Sequence, residues 1–355
     1  MRFIRLENVK PGMILGRDVY GSNRTLLLRH GGVIGVAYIE KLRQLGYAGI
    51  YIEDKHTQGM EMYETIDHTT RQSTYDAVQN LFTSDKISDN SRNAAAFREI
   101  EDLLEAIISQ IIANKDAVVT LTSLKNFDDY TYQHSVDVSI LAVVLGRQLK
   151  LRRSELLELG TAALFHDIGK MSVPAGVLNK PGILTEEEFE QMKAHTHLSS
   201  VFLKAMKQKQ SVCEGALHHH EKYDGSGYPS KLAKNDIPLY ARIIAIADVY
   251  DAITSKRVYK DNMPASEAYE FIMSNSGKHF DPEVVDAFLR KIAPYPVGTS
   301  VVLSDGRIGL VIENRPNLMM RPLLKILEES NLILPEVYLD LASDSTTNIT
   351  IVGTL

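Results

Sequence analysis

Histidine and aspartate recur through the middle of this chain at places where the surrounding residues are apolar. His134 follows Tyr130-Thr131-Tyr132-Gln133 and leads into the apolar run Val138 to Leu145. His166-Asp167 closes Leu164-Phe165 and is followed three residues on by Lys170. His195 follows Phe189 and Met192 at steps of three, so it shares their expected face of a helix. His218-His219-His220-Glu221 precede the glycine-rich Asp224-Gly225-Ser226-Gly227-Tyr228-Pro229, and Asp248 lies within Ile243-Ile244-Ala245-Ile246-Ala247-Asp248-Val249. Ionisable groups in apolar surroundings are costly unless paired or coordinated. Several such helices packed together would turn imidazoles and carboxylates into one dry interior, a ligand set suited to iron, manganese or zinc. Each motif alone has a plainer reading: a satisfied core histidine, a buried hydrogen-bonding aspartate, a polar surface face, a simple turn. Their coincidence in order along one chain favours a metal centre.

Such a centre suits phosphodiester hydrolysis. Two divalent ions about 4 Å apart can clamp a phosphodiester and supply hydroxide at neutral pH. Lys170, close to Asp167, is placed to neutralise charge developing on phosphate oxygens. Gly225 and Gly227 permit close backbone approach, and Tyr228 offers a flat face to a purine or to internal packing.

The elements that must position these groups fall into four stretches. Residues 1–53 alternate short apolar runs with turns, include a helix from Tyr38 to Leu45 and a strand at Gly49 to Ile52, and read as a small α+β module. Residues 54–114 read as a helical linker, polar from Asp54 to Asn93 with a loop at Thr83 to Asn93. Its apolar stripe, Phe97, Ile100, Leu104, Ile107 and Ile111, is spaced 3, 4, 3, 4, which suits either the seam of a homodimer or packing on its own domain. Residues 115–293 carry helical periodicity, punctuated by a Thr185/Glu188 capping box and an Asp281-Pro282 helix start. Residues 294–355 form a β module, with a hairpin of Thr299 to Leu303 and Ile308 to Ile312 about Asp305-Gly306, and later strands at Leu323 to Leu327 and Ile349 to Val352.

With 355 residues, 44% of them hydrophobic and 24% charged, the composition is that of a soluble globular protein of two or three domains. A formal charge of −6 argues against non-specific binding of nucleic-acid polymers, which needs a broad basic surface. The single Cys213 fits a reducing compartment, and neither a signal peptide nor a membrane span is legible, so cytoplasmic residence is expected.

His134, His166-Asp167, Lys170, His195, His219-His220-Glu221, Gly225-Ser226-Gly227-Tyr228-Pro229 and Asp248, in that order, resemble the signature of HD-GYP domains. So do Ala241 to Ala252 and Thr254 to Lys260, and the resemblance covers residues 115–293. It implies a mainly α fold, an HD-type helical bundle as catalytic domain, and hydrolysis of cyclic di-GMP or a related cyclic dinucleotide at two divalent ions, iron or manganese. By resemblance, His134, His166, Asp167 and Asp248 hold one ion, and Asp167 bridges to a second held by His195, His219 and His220. Asp167 and Lys170 are then the catalytic pair. Lys170, Gly225, Gly227, Tyr228, Asp251, Arg257 and Lys260 match positions facing substrate, and His218 matches no ligand position. Some family members hold a third metal with a glutamate four residues before the first histidine. Tyr130 stands there in this chain, so two ions are expected, with linear dinucleotide as the main product and mononucleotide appearing late. An HD-type di-iron oxygenase and a non-catalytic nucleotide sensor are the rival readings. Lys170 and the Gly-Tyr-Pro loop favour the phosphodiesterase over the first, and the complete ligand set favours it over the second.

Overall fold

A helix that is apolar around its whole circumference has to be buried on every side. Among the described residues, two helices are largely of that kind. α4 (Tyr130–Gln148) buries Val136, Val138 and the run Ile140 to Leu145, and α9 (Leu239–Thr254) buries Ile243 to Ala247. The computed structural model describes residues 1–355 apart from 22–24, 46, 48, 55–64, 83–89, 115–129, 256–262 and 328–335, and apart from the side chains of 68, 90–94, 130 and 131.

The chain divides into two compact units. The helical unit comprises Thr65–Ala117 and Thr131–Lys291. Besides α4 and α9 it contains α2 (His68–Phe82), α3 (Asn90–Ala113), α5 (Arg153–Leu164), the short α6 (Ala175–Leu178), α7 (Glu186–Ala205), α8 (Gln210–Leu217), α10 (Ala265–Ser274) and α11 (Pro282–Lys291). The Thr185 cap of α7 forms as expected: Glu188 N donates to Thr185 Oγ1 at 3.3 Å, and Thr185 N donates to Glu188 Oε2 at 2.7 Å. α5 ends at Leu164, and Phe165 behind it is fully buried, stacked on Phe97 of α3 at 4.9 Å and on Phe82 of α2 at 6.3 Å.

The stretch between the N-terminal module and α4 differs from the sequence reading. The polar segment contains α2, whose buried stripe is Tyr75, Val78, Leu81 and Phe82. Residues 90–93, expected in a loop, are the first turn of α3; the remainder of that expected loop, 83–89, lies outside the described residues. The stripe Phe97, Ile100, Leu104, Ile107 and Ile111 is at most 3% exposed within the single chain, where α3 packs on α2 and α5. It is therefore spent on internal packing and is not available as a dimer seam.

The second unit comprises Met1–Glu64, Val118–Tyr130 and Ile292–Leu355. Its N-terminal part holds a sheet ordered β1-β5-β2, made of β1 (Arg2–Arg5), β2 (Ile14–Leu15) and β5 (Gly49–Glu53), a small pair β3 (Val19–Tyr20) and β4 (Leu26–Leu28), and helix α1 (Val36–Gln44). Its C-terminal part is an antiparallel sheet ordered β10-β6-β7-β8-β9, from β6 (Ser300–Leu303), β7 (Ile308–Glu313), β8 (Leu323–Leu327), β9 (Tyr338–Asp340) and β10 (Ile351–Thr354). The expected hairpin is β6–β7, in register Ser300 to Leu310. The two parts join at Phe3 and Thr299, and Arg2 donates to Ser300 Oγ at 3.0 Å. No helix among the described residues is long and apolar enough to cross a membrane.

Candidate metal centre

Six pieces of the helical unit meet at the histidines. α4 supplies His134, and the turn after α5 supplies His166 and Asp167. A 3-10 turn, Ile168–Ser172, carries Lys170 and is tied to α7 by Gly169 N donating to Ser199 Oγ at 2.9 Å. α7 supplies His195, the turn after α8 supplies His219 and His220, and α9 supplies Asp248. The ligand atoms form two groups, each with all its atoms within 4.8 Å of one another: Asp167, His195, His219 and His220 in one, His134, His166 and Asp248 in the other.

One device orients three of these imidazoles. Nδ1 of His166, His195 and His219 lies 2.7, 2.6 and 2.7 Å from the carbonyl oxygens of Ala163, Met192 and Ala216, each three residues back. A carbonyl only accepts, so Nδ1 carries the proton and Nε2 keeps its lone pair. Those three Nε2 atoms, and Asp167 Oδ1, are buried without a hydrogen-bond partner. Leaving four polar atoms orphaned in an interior is costly, and their convergence fits a cation held there. His134 is oriented differently, by Asp251, whose Oδ2 is 2.8 Å from His134 Nδ1.

Asp167 stands between the groups. Its Oδ2 faces His166 Nε2 at 3.4 Å and His134 Nε2 at 3.9 Å, and its Oδ1 faces His195 Nε2 at 3.3 Å and His219 Nε2 at 3.9 Å. Lys170 Nζ donates to Oδ2. Asp248 Oδ1 lies 3.1 Å from His134 Nε2, and its Oδ2 lies 4.0 Å from His220 Nδ1.

The electrostatics follow from burial and from this pairing. Burial opposes ionisation of Asp167, but the charge of Lys170 outweighs it and holds the carboxyl well below the usual range. Asp248 is held low against the same opposition by His134. Burial keeps His195 and His219 neutral and pushes His220 down to about 3. His134 goes the other way: burial disfavours its cation, yet Asp248 and Asp251 together raise it to about 9.

The glycine-rich loop closes one side. Gly225 has φ +84°, and a Cβ on Gly227 would lie 2.3 Å from Lys222 N, so neither position accepts a side chain without strain. Tyr228 is half-buried, with its ring 4.9 Å from that of His220. Burial and the charges of Asp167 and Asp248 raise its phenol, which therefore stays protonated.

The structure thus brings His134, His166, Asp167, Lys170, His195, His219, His220, Asp248 and Tyr228 together. Asp251, expected to face substrate, is instead fully buried and turned to His134, so it acts through that ring. Arg257 and Lys260 lie outside the described residues. Glu221 had no role in the sequence reading. It is buried and accepts from Ser230 N at 2.6 Å, fastening the loop from behind.

The description "HD domain" fits residues 106–284 of this chain. With a bundle of this kind and a His/Asp centre at its heart, the chain belongs to the HD-domain family. It is similar to a cyclic di-GMP phosphodiesterase of Pseudomonas aeruginosa, 42% identical over 243 residues, covering 68% of this chain and 58% of that protein. It is also similar to a cyclic di-GMP phosphodiesterase of Thermotoga maritima, 40% identical over 197 residues, covering 55% of this chain and 51% of that one. The chain spans about half the length of these curated relatives. A 3'3'-cGAMP-specific phosphodiesterase of Vibrio cholerae is 38% identical over 45% of this chain and 31% of its own length. In fold the chain resembles an HDG"Y"P protein from Bdellovibrio bacteriovorus, with a TM-score of 0.52 at 20% identity over 80% of this chain and 97% of the other.

Proposed function

We propose that this chain is a metal-dependent phosphodiesterase that opens cyclic di-GMP, or a related cyclic dinucleotide, to the linear dinucleotide. The observation that carries the reading is Asp167, a buried carboxylate whose two oxygens each face a different group of imidazole nitrogens. His134, His166, Asp167 and Asp248 would hold one divalent ion, and Asp167, His195, His219 and His220 a second, iron or manganese by the nitrogen and oxygen character of the set. When bound, the pair would supply Lewis-acid activation of water and of the phosphodiester. The relatives named above as cyclic di-GMP phosphodiesterases support the substrate class.

The chain's own residues do the rest. The carbonyl contacts of His166, His195 and His219 fix their rings before substrate arrives, so no reorganisation is needed during reaction. Lys170 sits on the side of Asp167 that faces His134 and His166, and offers a cation to a phosphate oxygen. Tyr228, protonated and held on its glycine loop, offers a hydrogen-bond donor and a ring beside His220. Gly225, Gly227, Arg257 and Lys260 complete the proposed substrate contacts. Tyr130 in place of a carboxylate supports linear dinucleotide as the main product. Cytoplasmic residence belongs to the same reading and is supported by the lone buried thiol of Cys213.

The test is elemental analysis joined to a chromatographic time course with cyclic di-GMP. About two ions per chain and early linear dinucleotide are expected. Asp167→Asn should lose both metal and turnover; full occupancy with normal turnover in that variant would remove Asp167 from the centre. Dioxygen consumption in place of nucleotide cleavage would move the chain to the oxygenases.

A further inference from the structure

Asp167 is the residue that leads into the 3-10 turn Ile168–Ser172. At the start of a helical turn the first backbone N–H groups have no carbonyl behind them. An aspartate in the leading position ordinarily bends its carboxylate onto the N–H two or three residues further on. The N–H three residues on, that of Lys170, already donates to the Asp167 carbonyl oxygen at 2.9 Å. The N–H two residues on, that of Gly169, is left in want of an acceptor. The Asp167 side chain makes no capping bond, because its two oxygens are turned to His166, His195 and Lys170.

α7 meets the need instead. Ser199 Oγ accepts from Gly169 N at 2.9 Å, and both residues are buried. Ser199 lies one helical turn beyond His195 and is fully enclosed. An alanine there would be the better helix former and would bury no polar side-chain atom, so the hydroxyl is explained by the N–H it receives. Glycine at 169 is what allows the approach: a Cβ would lie 2.1 Å from the His195 carbonyl oxygen and 2.8 Å from Ser199 N. The helix that carries one ligand histidine therefore also caps the turn led by Asp167.

We propose that Ser199 is a positioning residue that caps this turn in place of Asp167 and so leaves the Asp167 carboxylate free for the metal centre. Remove the Ser199 oxygen, and a buried N–H and the metal pair compete for one carboxylate, since an uncapped N–H in an interior is costly. Ser199 itself touches neither metal nor substrate. The inference rests on the reading of Asp167 as a metal ligand, and it holds whatever diester the centre cleaves.

The experiment compares the full chain with Ser199→Ala in two measurements that need no substrate. Chelator competition gives manganese affinity, and urea unfolding gives the stability of the metal-free chain. Ser199→Ala should weaken manganese about tenfold, the loss found when a group orienting a metal ligand is removed. Its metal-free urea midpoint should stay near that of wild type, because without metal the Asp167 carboxylate is available to cap Gly169 N and alanine suits the helix. Ser199→Cys, with a similar shape and a weaker acceptor, should fall between the two in manganese affinity. Wild-type manganese affinity in Ser199→Ala overturns the inference, and a lowered metal-free midpoint alongside it reduces Ser199 to a structural hydrogen bond. The underlying readings fail differently. A wild type that binds manganese, loses affinity on Ser199→Ala and cleaves no cyclic dinucleotide keeps the role of Ser199 and loses the phosphodiesterase. A wild type that binds no manganese removes the centre, and the role of Ser199 with it.

Discussion

A metal-binding imidazole is as good a ligand as the group behind it allows, because the partner on the far nitrogen sets both the tautomer and the ring's aim. Three rings here lean on carbonyls, and His134 alone leans on a carboxylate, Asp251 Oδ2 at 2.8 Å. Asp251 is therefore a positioning residue. Asp251→Asn keeps the shape and an acceptor but removes the charge, and should weaken metal affinity by roughly 10- to 100-fold with little change in thermal stability. Chelator competition measures it; unchanged affinity would reduce Asp251 to a space-filling role. The ligand positions were legible in the sequence because histidine and aspartate on apolar helices are hard to explain otherwise. The aim of Asp251 was not, since three residues beyond Asp248 it sits on the same helix face, and only the position of His134 decides what it meets.

At the scale of elements, the pattern of one helix predicts that it has a partner but not which one. The stripe Phe97, Ile100, Leu104, Ile107 and Ile111 was legible as a helix face, and two destinations for it stayed open. α2 settles the matter, and α2 itself was hidden because Thr69, Thr70, Ser73 and Thr74 break its apolar rhythm with weaker helix formers. With α2 and α5 against it, Leu104 is 1% exposed. Leu104→Glu should therefore cost about 3 kcal/mol or more of stability by burying an unpaired charge. Urea unfolding reads this directly. A variant with wild-type stability and an altered mass in light scattering would return the stripe to a seam between chains. Because Phe97 and Phe82 also stack on Phe165, next to His166, the same helices back the turn that carries Asp167.

At the scale of the molecule, local periodicity found the hairpin β6–β7 but could not show that the chain's two ends build one unit. Arg2 and Ser300 meet across 298 residues through contacts that leave no repeat in the sequence. The helical unit raises a different global question, how a cluster of opposed charges sets stability against pH. For the metal-free chain the signs can be worked through. His195, His219 and His220 are lowered in the folded state, so below about pH 6.5 the unfolded chain takes up protons that the folded chain refuses, and stability falls as pH falls. His134 is raised to about 9, so its contribution is complete below about 6.5 and is lost as pH rises through 9. Asp167 and Asp248 are lowered below the ordinary carboxyl range and stay ionised across this window. The urea midpoint of the metal-free chain should therefore peak near pH 6.5 and decline on both sides. Metal loading should raise it, and at pH 7.5 should release at least one proton per chain, since His134 is the protonated ligand that must give its proton up. Calorimetry of manganese binding in two buffers of different ionisation enthalpy measures that number. Release of no proton at all would show that His134 is already neutral, and that the two carboxylates beside it do not hold its charge.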